Sequence, residues 1–202
     1  MATATATATP AAIAPPPLQR PRMLLVGTAF AAVASAMVVL TMVGVYLTER
    51  ATVVSAGGTW LPDGVVLPLN QPNMMFATLL LGSVAIQWAV SAVRNDDRVN
   101  SYLALGLTMV FGFAYLNMLV YLWSQAGLDV DANIQSLLIY GVTGTHFVMA
   151  LVAMLFVGLM AFRALAGGYD ARQYDGIAAS ALFWHVMVAV YAVIWIAIYV
   201  TK

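Results

Sequence analysis

Five side chains able to do acid–base or ligand chemistry lie deep inside long apolar runs of this 202-residue chain: Ser35, Gln87, Asn117, His146 and His185. A polar group at membrane depth is costly unless it finds a partner, so these positions are where function is to be sought. At about 1.5 Å per helical residue, His146 lies about 17 Å below the outer end of its run and His185 about 13 Å above the inner end of the next. The two runs are antiparallel neighbours, which brings both imidazoles to similar depth. Such a pair can ligate a metal or haem, relay protons, or cross-link helices through ring nitrogens. A haem or copper site needs further ligands at that level, and no run holds an Asp, Glu or third His. The same lack weakens a proton path, so cross-linking is the expected role, with Gln87 and Asn117 forming interhelical hydrogen bonds in the same way. Met149, one turn beyond His146, is a soft ligand in principle, but twelve methionines spread over apolar faces read as packing.

Other chemistry is thinly represented. Cysteine is absent, which removes disulfides, iron–sulfur clusters, thiolate zinc sites and cysteine nucleophiles. There is no phosphate loop, dinucleotide fingerprint or nucleophile with a base. The acidic stretch Asn95-Asp96-Asp97-Arg98 reads as a solvated turn rather than a cation site. Gly141 and Gly144, with Thr143 and Thr145, form a small-residue strip expected to let another helix backbone approach closely.

The elements that position these residues follow from composition. Hydrophobic residues make up 63% of the chain, charged residues 8%, and the mean hydropathy is +0.91, a balance that one soluble core cannot hide. The fold class is therefore all-α, an integral membrane bundle. Crossing about 30 Å of hydrocarbon takes about 20 helical residues, and five proline-free stretches qualify: 24–48, 73–93, 100–124, 135–164 and 177–200. The fourth is long enough to tilt or protrude. Residues 1–22, an Ala-Thr repeat running into three consecutive prolines, read as a disordered tail preceding a transmembrane domain over 23–202. Trp60, in the Gly- and Pro-rich first connection, reads as an anchor at headgroup level.

Arg20, Arg22, Arg94, Arg98, Arg163 and Arg172 fall on one side of this plan. Arg50 and Lys202 fall on the other, with acidic Asp63, Asp129 and Asp131. The basic side should be cytoplasmic, giving an N-in, C-out chain. Zero net charge and the lack of a basic surface exclude nucleic acid as a partner.

Tyr140-Gly141-Val142-Thr143-Gly144-Thr145-His146 resembles the Tyr-x-x-Thr-Gly-x-His stretch of subunit III of the haem–copper cytochrome oxidases, in its short bacterial five-helix form. Phe183-Trp184-His185 is similar to that family's Tyr-Trp-His motif, with weaker echoes at Tyr46-x-x-Glu49-Arg50 and Ala114-Tyr115. The likeness runs from about Arg22 to the C-terminus. Three positions depart from the pattern: Ser35 stands where the family has a membrane-embedded Glu, Met149 where a second His follows, and Val188 where an Asp follows Trp-His.

The resemblance implies a subunit of the aerobic respiratory chain, in a bacterial plasma membrane, with no catalytic residue, metal or cofactor of its own. Haem and copper would reside in partner subunits. The chain would pack on subunit I, in a complex with subunit II and other respiratory subunits. It would hold membrane phospholipid that supports oxygen access, proton uptake and turnover stability. His146, His185, Trp184, Arg50 and Gln87 are the candidate structural or lipid-binding residues. Rival readings are the related small subunit of nitric oxide reductases, a small transporter or channel, and a di-haem cytochrome using both histidines. A transporter asks for a discontinuous helix or a polar midplane path.

Overall fold

The computed structural model describes residues 22–61, 65, 67–127 and 133–201. The expected tail up to residue 21, including Arg20, lies outside the described residues, as do Asp63, Asp129, Asp131 and Lys202. Five helices make up the fold: α1 Met23–Ser55, α2 Asn70–Arg94, α3 Arg98–Gln125, α4 Ile134–Leu165 and α5 Asp175–Ile194, the last running on as a π-helix over Trp195–Val200. All five are long and apolar enough to cross a membrane, and there is no strand among the described residues. The chain is an all-α membrane bundle, as its composition requires.

Local chemistry sets the helix ends. Asp97 caps α3, its carboxylate accepting from the Asn100 backbone N–H at 3.1 Å and the Asn100 amide at 2.6 Å. Asn133 caps α4 by accepting from the Ser136 N–H at 2.8 Å. After α4 the chain turns through Gly167 at φ 76°, and Gly168 N–H closes on the Arg163 carbonyl at 2.9 Å, a left-handed C-terminal cap that glycine adopts without Cβ strain. Pro72 lies in the first turn of α2, where its missing N–H leaves no intrahelical bond unmade. That tolerance is why α2 begins ahead of residue 73. Past residue 48, α1 continues two further turns to Ser55.

The helices are apolar all round, as lipid-solvated helices must be, so position in the bundle decides which face is buried. α5 is the central helix, touching α1, α2 and α4, while α3 packs between α2 and α4. Just over half of the most apolar stretch of α5 is buried, 56%, against 17% for α1, which presents residues such as Phe30 outward.

Close approach is set by glycines other than the expected pair. A Cβ at Gly82 would stand 2.5 Å from Cζ2 of Trp184, and one at Gly112 would stand 2.8 Å from Sδ of Met154. These fix the α2–α5 and α3–α4 separations. Gly141 and Gly144, by contrast, face open space among the described residues, so no helix of this chain packs on the strip before His146. Trp60, in the first connection, packs back onto α1. It is buried rather than exposed to lipid, its indole N–H donating to the Tyr46 hydroxyl at 2.9 Å across an edge-on ring contact.

Candidate functional site: a buried histidine hub and an outward polar groove

His146, on α4, is 1% exposed and both of its ring nitrogens are engaged. Nε2 is 3.1 Å from the Met187 carbonyl of α5, and Nδ1 is 2.8 Å from the Tyr115 hydroxyl of α3. A carbonyl only accepts, so Nε2 carries the proton and Nδ1 accepts from Tyr115. One neutral imidazole thus ties three helices. Tyr191 closes the cluster, with centroids 5.5 Å from both the His146 and Tyr115 rings, and its hydroxyl donates to the Pro72 carbonyl of α2 at 3.2 Å.

Nearer the α3–α4 connection, Trp123 donates to the Thr143 hydroxyl at 3.0 Å and Tyr140 donates to the Trp123 carbonyl at 3.3 Å. The Tyr140-to-His146 stretch is thus tied to α3 through Tyr140, Thr143 and Nδ1 of His146, while the Thr145 hydroxyl bonds back to the Gly141 and Val142 carbonyls of its own helix. Sequence reasoning touched Tyr115 only as part of a weak echo, and missed Trp123 and Tyr191.

His185 has a different setting. It is half-buried on another face of α5, with Nε2 3.4 Å from Oε1 of Gln87 on α2, and it does not bond to His146. Two residues along a helix is about 200° of rotation, so when the Met187 position faces α4, His185 faces away. Depth matched the histidines, but helical phase separates them. With Ser83, Trp88 and Ser91, the Gln87–His185 pair lines an open groove on the outside of the bundle.

The remaining candidates sort by burial. Trp184 is completely buried against Gly82, which places its ring in helix packing. Arg50 reaches the chain's other end, its guanidinium donating to the Thr201 hydroxyl at 3.2 Å and to the Thr201 carbonyl. Ser35 bonds only back to the Ala31 carbonyl at 2.8 Å. Met149 is a core residue. Asn117 does not make the expected interhelical bond; it is exposed in a groove beside Phe113 and Phe147, with no hydrogen-bond partner among the described residues. Among those residues, no three His, Cys, Asp or Glu side chains are grouped to hold a metal.

At the basic end, Arg22 lies 3.6 Å from Asp175, Asp96 accepts from the Ala171 N–H at 2.8 Å, and Arg94 stacks over Tyr174 at 5.5 Å. The start of α1, the α2–α3 turn and the α4–α5 connection therefore share one end of the bundle. Asp96 adopts φ 56° in that turn, and the side-chain and backbone bonds from Asn100 hold the Asp97 carboxyl below its ordinary value.

A family model described as "Cytochrome c oxidase subunit III" matches residues 22–202. The chain belongs to the cytochrome c oxidase subunit III family. Curated relatives named "Cytochrome c oxidase subunit 3" are similar at low identity. The protein of Tetraodon nigroviridis is 25% identical over 157 residues, which is 76% of this chain and 60% of that one. That of Lemur catta is 24% identical over 156 residues, 76% and 57% of the two chains. That of Gallus gallus is 24% identical over 147 residues, 72% and 55%. The chain thus spans between 55% and 60% of the length of these relatives. Within this subunit III member, the two motif segments have separate structural uses: the Tyr140–His146 stretch builds the interhelical hub, and Phe183-Trp184-His185 builds the α2–α5 contact.

Proposed function

We propose that the chain is an accessory, cofactor-free subunit III of a haem–copper terminal oxidase. It would pack on the catalytic subunit I in a bacterial plasma membrane, with its basic end in the cytoplasm. The observation that carries this reading is the family match over residues 22–202, supported by the way the polar core is consumed. His146 would have to give up its bonds to Tyr115 and Met187 to ligate a metal. His185 has a glutamine beside it and, among the described residues, no second ligand of the kind haem or copper needs. The names of the relatives favour an oxidase over a nitric oxide reductase. The helices are continuous, which gives no support to a transporter's broken helix.

In this role the subunit works by covering one flank of subunit I and retaining phospholipid there, so that proton uptake and oxygen access persist through repeated turnover. Arg50, tied to the C-terminus at the end opposite the basic cluster, is suited to hold an acidic headgroup. Trp184 keeps the helices at the spacing that shapes the lipid-facing surface. The test is the set of chains that copurify with this one in mild detergent, together with the optical spectrum of the chain alone. Copurification with haem-bearing oxidase subunits and a haem-free isolated chain are expected. Stoichiometric haem or metal in the isolated chain, lost on His146→Ala, would overturn the reading.

A further inference from the structure

Ser83, Gln87 and Ser91 recur every fourth residue of α2, which puts three polar side chains on one face. That face looks outward: with His185 it lines an open groove of about 670 Å³, flanked by Val84 and Trp88, which are 69% and 42% exposed. Gln87 lies seven residues from the end of α2 at Arg94, about 10 Å, and Ser83 about 17 Å, near mid-bilayer. A glutamine side chain is too short to carry its amide from there to the headgroups.

Hydrogen-bonding capacity on this face is left over. Oε1 of Gln87 only accepts, so His185 donates through Nε2 and keeps a lone pair on Nδ1, while the Gln87 amide keeps both N–H donors. The 3.4 Å separation makes even the existing bond a long one. The Ser83 hydroxyl is enclosed and has no partner. Lipid acyl chains supply neither donor nor acceptor, so the unspent capacity of exposed Gln87 and half-buried His185 is a standing penalty against hydrocarbon.

We propose that this groove is the docking site for a membrane-spanning helix of another chain, presenting a hydroxyl or carboxamide side chain at the level of Gln87. The required group accepts from the Gln87 amide and donates to Nδ1 of His185. An ionised carboxylate cannot donate and an ammonium cannot accept, so a side chain doing both is the match. The inference rests on the reading of the chain as one subunit of a membrane complex. It adds which surface the neighbouring helix meets and by what chemistry.

The test places a photo-crosslinking amino acid at Val84, an outward position that leaves the core untouched, in the full chain within its own membrane. Adducts are then identified by mass spectrometry. The expected adduct is a membrane-spanning segment of a copurifying chain, with Ser, Thr, Asn or Gln at the crosslinked level. Alongside it, the Gln87→Leu/His185→Leu double variant should leave the complex in mild detergent about three- to twentyfold faster than the wild type, the factor expected for one or two interhelical bonds. Asn117→Leu, in the separate groove beside Phe147, should leave release unchanged. Adducts to lipid alone, or unchanged release of the double variant, overturn the docking site while leaving the oxidase reading standing. A polypeptide adduct from a complex that is not an oxidase upholds the site and overturns the functional reading instead.

Discussion

Replacing His146 with Leu keeps the volume near that of the imidazole and removes both ring nitrogens. Two interhelical bonds are lost, to Tyr115 at 2.8 Å and to Met187 at 3.1 Å. Interhelical bonds in membranes average about 0.6 kcal/mol with a maximum near 1.7, so the pair contributes about 1–3 kcal/mol. The Tyr115 hydroxyl, buried in the core, is then stranded, and an unsatisfied buried donor costs about 1–3 kcal/mol. Allowing for some relaxation, His146→Leu should destabilise the bundle by about 2–4 kcal/mol. His185→Leu loses one 3.4 Å bond at a half-buried site and should cost about 0.6 kcal/mol or less in the isolated chain.

The assay is reversible unfolding of the isolated chain in mixed micelles titrated with denaturing detergent, for both variants, Tyr115→Phe and the Tyr115→Phe/His146→Leu pair. The double-mutant cycle should give a coupling of about 0.6–1.7 kcal/mol between the two residues. All variants should still insert. A His185→Leu cost equal to or above that of His146→Leu, or a coupling of zero, would refute the hub.

Gly82→Ala should cost about 1–3 kcal/mol in the same assay, because its Cβ meets the buried Trp184 ring; Gly106→Ala, which faces open space, should be nearly silent. Ser35 bonds only within its own helix, so Ser35→Ala should leave both stability and the oxygen consumption of the complex unchanged, and a marked loss in either would show a missed role. A reporter between Asp96 and Asp97 should be active only in the cytoplasm and one after Lys202 only outside, the reverse pattern sinking the orientation. The Asp97 carboxyl is held below its ordinary value by Asn100, so its contribution to stability is present above the unfolded pKa of about 4 and is lost as pH falls from there through the folded value. Unfolding midpoints between pH 5 and pH 2 should therefore fall less steeply for Asp97→Asn than for the wild type, and parallel curves would rule the cap out as the cause.

Much of this architecture was legible because lipid imposes blunt requirements. Five apolar runs of spanning length produce five helices, and the Asp97 and Asn133 caps fall where polar residues interrupt those runs. The π-helical end of α5 was not legible, since nothing in Trp195–Val200 marks it; at its start the Trp195 indole N–H donates to Asn73 of α2 at 2.7 Å. Depth arithmetic placed the histidines at similar level but ignored rotation about α5, which sends them to different neighbours. The same arithmetic had the means to find Tyr115. It lies ten residues from the α3 end at Gln125, and His146 twelve from the α4 start at Ile134, about 15 and 18 Å from one connection. Asn117 was misjudged because helices apolar on every side give no hint of which face meets a neighbour.

In the role we propose, the chain supports a redox partner without taking part in electron transfer. Oxygen consumption followed over successive turnovers, for the complete oxidase and for the same complex stripped of this subunit, tests it most directly. Removal should leave the haem bands and the initial rate unchanged, with activity then decaying faster from turnover to turnover as the uncovered flank loses its lipid. Immediate and total loss of electron transfer, with altered haem bands, would place the chain in the redox path and contradict that role.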